Sequence, residues 1–218
     1  RVAKDTAAPT RGGRVLPLDG VSKYVELHNS VNDWKDIAIC IWVKWTGTAS
    51  DQRIWSFGDG ANKVMYLTPR DGSTGSLRFV ISNGAATQYL DGIAAMPANI
   101  WTHVAVVFSG ATSALYVNGV GVASNAATIF PDQLNAPFME NSNYLGRGND
   151  GHYLQGYLDD FRVYSKALTG TEVSAVYNTA APSPVTITAD TTAPTPNAAA
   201  WLVAPTALGD SAIQMSAA

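Results

Sequence analysis

Short apolar runs separated by polar turns repeat along most of this chain. Residues 77–81 follow the alternation expected of a strand with one buried face. In residues 37–45 and 101–108 both the odd-numbered and the even-numbered positions are largely apolar, which indicates central strands covered on both faces. Asn118 and Gly119, between two apolar stretches, predict a hairpin because both turn positions need a positive φ. The pattern predicts about ten to twelve strands in an all-β sandwich.

A strand followed by a helix start ends the main apolar region. Strict alternation along this strand would place Asp159 on the same face as Phe161 and Val163. An acid on an apolar face is costly unless it is paired, hydrogen-bonded or metal-bound. Thr169 and Glu172 have the spacing of a capping box, which predicts one short helix beginning there.

Composition divides the chain into four parts. Residues 1–14 are polar and irregular, and residues 15–179 carry the strand pattern. Residues 180–200 are rich in Pro, Thr and Ala, which is typical of a semi-rigid linker. Residues 201–218 hold two apolar runs that weakly resemble the first strands of a fibronectin type III-like module, here truncated. The alternative is a tail that packs on the main domain.

Composition and charge also narrow the choice of partners. Of the 218 residues, 46% are apolar and 14% charged, so the chain is expected to bury a core. The net charge is −3 and no basic run exceeds two residues, which argues against binding to nucleic acid or to an anionic membrane surface. No apolar stretch is long enough for membrane insertion. Cys40, inside an apolar run, is predicted to be a small buried hydrophobe.

Six segments in order along residues 15–178 resemble the laminin G-like jelly-roll domain of the concanavalin A-like lectin/glucanase superfamily. They are residues 18–25, 39–44, 101–105, 115–119, 144–147 and 156–172. The ordered set is specific to that group. It implies an all-β fold of two antiparallel sheets in a jelly-roll β-sandwich, with one concave face and a short helix near the end of the domain.

The resemblance also implies a structural Ca²⁺ ion. Members of the group often hold one, and Asp19 and Asp159 match the positions of its ligands. Calcium takes several hard oxygen ligands, and the carbonyl of Gly20 could be another. The alternative is that Asp19 caps its own turn and Asp159 hydrogen-bonds to backbone. The ion is expected to brace the fold rather than to contact a ligand.

Catalytic residue patterns are missing from the sequence. Glycoside hydrolases need two carboxylates at a fixed separation, and hydrolases on related sandwiches usually carry two Glu on one strand. The three glutamates, Glu26, Glu140 and Glu172, are scattered, and Asp159 and Asp160 are adjacent and so would point to opposite faces. The three histidines show no metal-binding spacing. We therefore expect a non-catalytic domain.

Sugar binding suits the residues better. Sugar rings pack their apolar faces on Trp and Tyr, and their hydroxyls bind planar polar side chains and Arg. Trp45 and Trp55 could stand on the concave face, and the loop at residues 141–153 concentrates Asn, Arg, His and Tyr. The alternative for this loop is a solvated hairpin with Arg147 in a salt bridge. The candidate ligand-binding residues are Trp45, Trp55, Tyr66, Arg70, Asn143, Arg147, His152 and Tyr153.

These observations lead to one functional hypothesis and two alternatives. We expect a lectin-like carbohydrate-binding module of a secreted, multimodular bacterial enzyme that degrades polysaccharides. Its partners would be a polysaccharide or oligosaccharide and the neighbouring domains of the same parent chain. The chain begins at Arg1 without a methionine, so we expect it to be a fragment of that longer protein. The alternatives are a structural spacer and a cell-surface adhesion or protein-recognition module.

Overall fold

The computed structural model describes residues 3–4, 14–28, 33–59, 62–134, 142–179, 203–207 and 213–216. Its strands, in chain order, are β1 (Ala3–Lys4), β2 (Arg14–Asp19), β3 (Val25–Glu26), β4 (Ile37–Trp45), β5 (Trp55–Gly58), β6 (Lys63–Thr68), β7 (Arg78–Asn83), β8 (Thr87–Asp91), β9 (Trp101–Ser109), β10 (Thr112–Val117), β11 (Val120–Ala126), β12 (Tyr144–Leu145), β13 (Gln155–Tyr164), β14 (Val203–Ala207) and β15 (Ile213–Ser216). A 3-10 turn covers Pro131–Leu134, and one helix, α1, covers Gly170–Thr179. In the described residues, no helix has the length and apolar character needed to cross a membrane.

The strands from β1 to β13 form two antiparallel sheets. The larger sheet has seven strands in the order β1-β2-β13-β4-β9-β10-β11, and the smaller has six in the order β3-β12-β5-β6-β7-β8. The two sheets enclose the main apolar core. This architecture confirms the predicted two-sheet antiparallel sandwich with a single short helix.

Strand β4 is covered on both faces, as its sequence predicted. Its odd-numbered residues, from Ile37 to Trp45, belong to the core between the sheets. Ala38 and Cys40 face the other way, into a second apolar cluster beneath α1 that includes Leu168 and Val173. Cys40 is fully buried, and burial raises the pKa of its thiol to about 12. The thiol is therefore a packing group, and α1 covers part of the outer face of the seven-stranded sheet.

The two local signals with the clearest geometry are both confirmed. Asn118 and Gly119 take φ values of 49° and 79° and join β10 to β11 in an antiparallel hairpin. At the start of α1, the Thr169 backbone N–H donates to Glu172 Oε2 at 2.7 Å. The Glu172 N–H donates back to Thr169 Oγ1 at 3.2 Å. This reciprocal pair is a capping box.

Strand β13 contains a β-bulge that alternation did not predict. Its register pairs Asp159 with Trp42 and Arg162 with Cys40, so three steps along β13 match two along β4. Asp160 occupies the bulge with a φ of 45°, and Arg162 Nε donates to its carboxylate at 2.7 Å. The extra residue shifts the parity of the strand. Asp159 therefore lies on the outer face with Trp42, and the prediction that it shares a face with the apolar residues after it is wrong.

The ends of the chain are partly described. A short strand, β1, pairs with β2 inside the segment predicted to be irregular. Residues 180–200, the predicted linker, lie outside the described residues. The chain divides into two compact units, Arg1–Ser183 and Pro184–Ala218, with the boundary inside that predicted linker. In the second unit β14 pairs with β15. Whether this unit is a fibronectin type III-like module stays a prediction, as does its alternative.

A buried histidine of β9, His103, packs against the end of α1. Trp42 stacks on Tyr177 with ring centroids 5.4 Å apart, and His103 contacts both rings. His103 is buried, with only 1% of its surface exposed. Its two ring nitrogens have no hydrogen-bond partner among the described residues. Burial lowers the pKa of His103 to about 4; the Asp160 charge raises this pKa and the Arg162 charge lowers it, both to a smaller extent.

We expect this histidine to make the fold sensitive to mild acid. Because the folded pKa lies near 4 and the unfolded value near 6.5, its contribution is complete above pH 6.5 and is lost as pH falls towards 4. Replacing His103 by Phe should remove about 2–3 kcal/mol of the decrease in unfolding free energy between pH 7 and pH 4.5. Urea unfolding at the two pH values measures this. His28→Gln, at an exposed histidine, is the control, and an unchanged pH dependence in His103→Phe would contradict the assignment.

Candidate functional site

A row of side chains crosses the outer face of the six-stranded sheet. Trp55 and Phe57 of β5 point into the core, so Ser56 between them points outward. Pairing of successive strands continues the row on both sides of Ser56. Its members, in order across the sheet, are Glu26, Tyr144, Ser56, Tyr66, Val80 and Tyr89. Tyr144 and Tyr66 stand two strands apart, about 10 Å, with the small Ser56 between them.

Arg53 lies flat against this row. Its guanidinium carbon is 3.8 Å from the centre of the Tyr66 ring, within cation–π range. Nη2 donates a hydrogen bond to Asp150, whose other oxygen lies 3.2 Å from His152 Nδ1. Burial alone would raise the pKa of Asp150, but the charges of Arg53 and His152 hold it below its ordinary value. The Arg53 side chain is 7% exposed and Asp150 is 42% exposed, so the carboxylate covers the arginine from solvent.

A second arginine on this face, Arg147, is surrounded by tyrosines. Its guanidinium carbon lies 4.7 Å from the ring centre of Tyr24, 4.8 Å from that of Tyr144 and 5.7 Å from that of Tyr153. Tyr24 and Tyr144 meet edge to face at 5.4 Å. Arg147 Nε is buried and has no hydrogen-bond partner among the described residues. Arg147 also forms no ion pair with any residue that the structure describes. The alternative in which Arg147 forms a salt bridge is therefore not observed.

A tight hairpin places Arg147, His152 and Tyr153 on this face. Arg147 and Tyr153 form an antiparallel bridge, and the Gly148 N–H donates to the His152 carbonyl at 3.0 Å. A Cβ atom at Gly148 would lie 2.8 Å from Cγ of Arg53. Only glycine therefore lets the loop close over Arg53 without displacing it. The loop predicted from its composition is a hydrogen-bonded part of the face.

A third arginine, Arg78, marks the other end of the row. It lies over the Tyr89 ring at 4.8 Å and pairs with both Asp71 and Asp91. Burial alone would raise the pKa of Asp71, but hydrogen bonds within its turn and the Arg78 charge lower it below its ordinary value. At this end of the face the cation is thus fully matched by carboxylates.

Half of the candidate ligand-binding residues meet on this face, namely Tyr66, Arg147, His152 and Tyr153. Sequence reasoning missed Tyr24 and Arg53, and it did not single out Tyr144 and Asp150 within the candidate loop at residues 141–153. Arg53 and Asp150 are 97 residues apart in sequence. Only the register of the folded strands brings such residues together. The sequence did contain one indication of this face. Ser56 in β5 and Tyr144 in β12 alternate with apolar residues, so both could have been assigned to the outer face of the sheet.

The two candidate tryptophans belong to the core. Trp45 is 2% exposed and donates from Nε1 to Gln52 Oε1 at 2.7 Å. Trp55 is fully buried and stacks on Phe57 with centroids 4.8 Å apart. Both residues occupy inward-facing positions of their strands, so both indole rings lie between the sheets. The prediction that either could stand on an exposed face is therefore wrong.

Arg70 and Asn143 have local structural contacts. The Arg70 guanidinium lies 5.3 Å from the Trp45 ring centre, and its Nε donates to Ser50 Oγ. Asn143 is fully buried; its Oδ1 accepts from the Gly58 N–H and its Nδ2 donates to the His28 carbonyl. The Asn143 amide is thus used to join loops, and the prediction that it contacts a ligand is wrong.

The proposed calcium ligands do not come together. The register pairs Asp19 with Gln155, so Asp159 lies four residues farther along β13, about 13 Å away along the strand. The Asp160 N–H donates to Asp159 Oδ1 at 2.9 Å. The separation of about 13 Å between Asp19 and Asp159 is too long for one ion, whose ligand oxygens lie about 2.4 Å from it. Asp19, Gly20 and Asp159 therefore do not fit a single shared site.

Asp19 is occupied by its own turn. Its Oδ1 accepts backbone N–H bonds from Val21, Ser22 and Lys23 at 2.9–3.0 Å. These bonds hold the pKa of Asp19 well below its ordinary value. Among the described residues no group of three His, Cys, Asp or Glu could hold a metal ion. The arrangement matches the turn-capping alternative, and calcium binding stays a prediction.

A pocket elsewhere on the sandwich is less suited to a polar ligand. It has a volume of about 180 Å³ and lies between the loop that joins β8 to β9, with Ile93 and Met96, and Val122 of β11. Its lining is almost entirely apolar, whereas a sugar needs several hydrogen-bonding groups. The arginine–tyrosine face offers these, and we take it as the candidate site.

Comparison with known proteins agrees with this architecture. Residues 19–174 match the sequence model of the concanavalin A-like lectin/glucanases superfamily. No curated protein sequence matches the chain. The chain is similar in fold to domain 4 of AbnA, a GH43 extracellular arabinanase from Geobacillus stearothermophilus in complex with arabinotriose. The TM-score is 0.67 at 21% identity, over 81% of each chain.

Two further solved structures share the fold. The CBM40 of the Ruminococcus gnavus IT-sialidase, bound to α2,3-sialyllactose, has a TM-score of 0.58 at 18% identity, over 75% of this chain and 97% of that one. A heptameric SAP-like pentraxin from Limulus polyphemus has a TM-score of 0.52 at 19% identity, over 78% of this chain and 80% of that one. At such identities the likeness concerns the fold.

Removing the carboxylate over Arg53 should destabilise the sandwich. We expect Asp150→Asn to lower the free energy of unfolding by about 1–3 kcal/mol, because a buried guanidinium is left without its counter-charge. Asp91→Asn is the matched control: Arg78 keeps Asp71, so the loss should stay below about 1 kcal/mol. Urea unfolding at pH 7 measures both. Equal losses in the two variants would show that the Arg53–Asp150 pair has no special role.

Proposed function

The chain belongs to the concanavalin A-like lectin/glucanase superfamily, and on that premise we propose that its sandwich is a non-catalytic carbohydrate-binding module. The observation that carries the proposal is the row on the six-stranded sheet, where Tyr144 and Tyr66 flank Ser56. Arginines lie against both tyrosines. The fold alone does not assign a function, because the same sandwich supports several.

The chemistry of this face suits a sugar. A sugar ring presents an apolar face that packs on an aromatic ring and a rim of hydroxyls that needs donors and acceptors. The small Ser56 lies between the two tyrosines, and the Asp150–His152 pair beside them offers an acceptor and a donor. Such an open site buries little area, so we expect modest affinity.

The state of the acids favours binding over catalysis. A glycosidase needs a carboxyl group whose pKa is raised so that it can protonate the leaving oxygen. The pKa values of Asp150 and Asp71 are instead lowered by their arginine partners and hydrogen bonds. Asp91 is held by the same arginine as Asp71. Asp150 and Asp71 are therefore ionised structural partners of Arg53 and Arg78 and are poor general acids.

The context of similar domains supports a finer proposal. Two of them are parts of enzymes that act on glycans, an extracellular arabinanase and a sialidase. We extend this to a secreted, multimodular bacterial enzyme that degrades polysaccharides. The module would raise the local concentration of an attached catalytic domain on its substrate. Oligosaccharide and neighbouring domains would be its partners.

A spacer role is the second candidate, favoured by one observation. Ile93 is 93% exposed and Ile100 58% exposed in the segment between β8 and β9, beside the apolar pocket. Exposed aliphatic side chains of this kind often pack against another domain. Sugar binding by the isolated chain would distinguish the two roles, because a spacer has no ligand of its own.

Tyr66→Ala and Tyr144→Ala should each weaken glycan binding at least tenfold, about 1.4 kcal/mol, through loss of ring stacking. The matched control is Tyr157→Ala on the seven-stranded sheet, where Lys44 lies over the ring. A glycan array with residues 1–218 identifies a ligand, and titration calorimetry then measures the variants. A blank array from folded protein would reject the binding role, and equal losses in all three variants would reject this face.

A further inference from the structure

The three arginines on the candidate face differ in their counter-charges. Arg53 is paired with Asp150, and Arg78 with Asp71 and Asp91. Arg147 has neither an ion pair nor a side-chain hydrogen bond among the described residues, and its Nε is buried. Of these three arginines, Arg147 is therefore the one that has no carboxylate partner among the described residues.

Three tyrosines hold the Arg147 charge without satisfying its hydrogen bonds. Cation–π contacts with Tyr24, Tyr144 and Tyr153 offset part of the cost of removing the guanidinium from water. A ring face accepts no ordinary hydrogen bond from the five N–H groups of the fork. A buried donor without an acceptor costs about 1–3 kcal/mol. The arrangement thus holds an arginine ready for an acceptor that the described part of the chain does not supply.

We infer that the ligand of this face is an acidic sugar and that Arg147 receives its carboxylate. The inference rests on the proposed function and names the class of its ligand. A planar carboxylate accepts two parallel N–H bonds from a guanidinium, which is the geometry that arginine favours over lysine. Tyr144 belongs both to the ring set around Arg147 and to the row beside Ser56. A sugar ring stacked in the row would therefore carry its carboxylate towards Arg147.

The charge of the whole protein makes this inference testable. The net charge is −3, so a polyanion is repelled at long range and gains nothing from non-specific attraction. Tight binding of an acidic glycan must then come from a local site. It should depend on Arg147 and weaken as salt screens the pair.

The experiment compares ligands that differ only in their negative charge. Titration calorimetry with the whole chain uses trigalacturonate and 3′-sialyllactose, each against its own carboxyl methyl ester. We expect the acid of at least one pair to bind at least tenfold more tightly than its neutral counterpart. Arg147→Gln should reduce that preference below about twofold, a loss of roughly 1 kcal/mol or more. Arg147→Lys keeps the charge without the fork and should retain an intermediate preference.

Controls separate the possible failures. Arg14→Gln, at an exposed arginine on the seven-stranded sheet, should leave the preference unchanged, and melting temperatures report whether each variant is folded. Arg147→Lys still tests the fork if the glutamine variant does not fold. Equal binding of acidic and neutral sugars, or tighter binding of a sulfated trisaccharide than of trigalacturonate, overturns the inference and leaves the proposed function standing. No binding of any glycan by the folded wild type overturns both.

Discussion

The inward packing of β5 determines which side chains reach the candidate face. Trp55 stacks on Phe57 and contacts Phe79, two strands away on the inner face of the same sheet, so these residues cannot turn outward without opening the sandwich. Because a strand alternates its faces, Ser56 must then point out, and pairing with β12 and β6 places a tyrosine on each side of it. The alternation of β5 therefore determines both the aromatic core and the polar row. A shift of one residue in the register of β5 would turn the aromatic residues outward and Ser56 inward.

The fold was largely predictable because its signals are local. The hairpin at Asn118 depends on two adjacent residues and the capping box on four, so each can be identified from a few letters of sequence. The bulge at Asp160 could not be predicted, because an inserted residue leaves the apolar pattern nearly unchanged while reversing every face after it. That reversal also removes the argument that Asp159 needs a partner because it lies on an apolar face.

The candidate site was only partly predictable, for a related reason. Arg147, His152 and Tyr153 occur together in a loop, where clustering of polar and aromatic residues is visible in the sequence. Arg53 follows a turn and precedes an apolar strand, and nothing near it indicates that it will lie on Tyr66 beneath Asp150. The error over Trp45 and Trp55 has the opposite origin: a large aromatic residue suits both a sugar platform and a core, and only strand parity in the fold distinguishes the two.

The row of tyrosines runs across the strands rather than along them. Its contact points are therefore spaced by the distance between hydrogen-bonded strands, about 4.8 Å, and not by the length of any side chain. From Glu26 to Tyr89 the six strands span about 24 Å. An extended polymer bound across the sheet, as proposed, would meet contact points at this spacing. Units of the polymer beyond this width would have no strand beneath them to contact. The number of strands therefore limits the length of polymer that the face can bind.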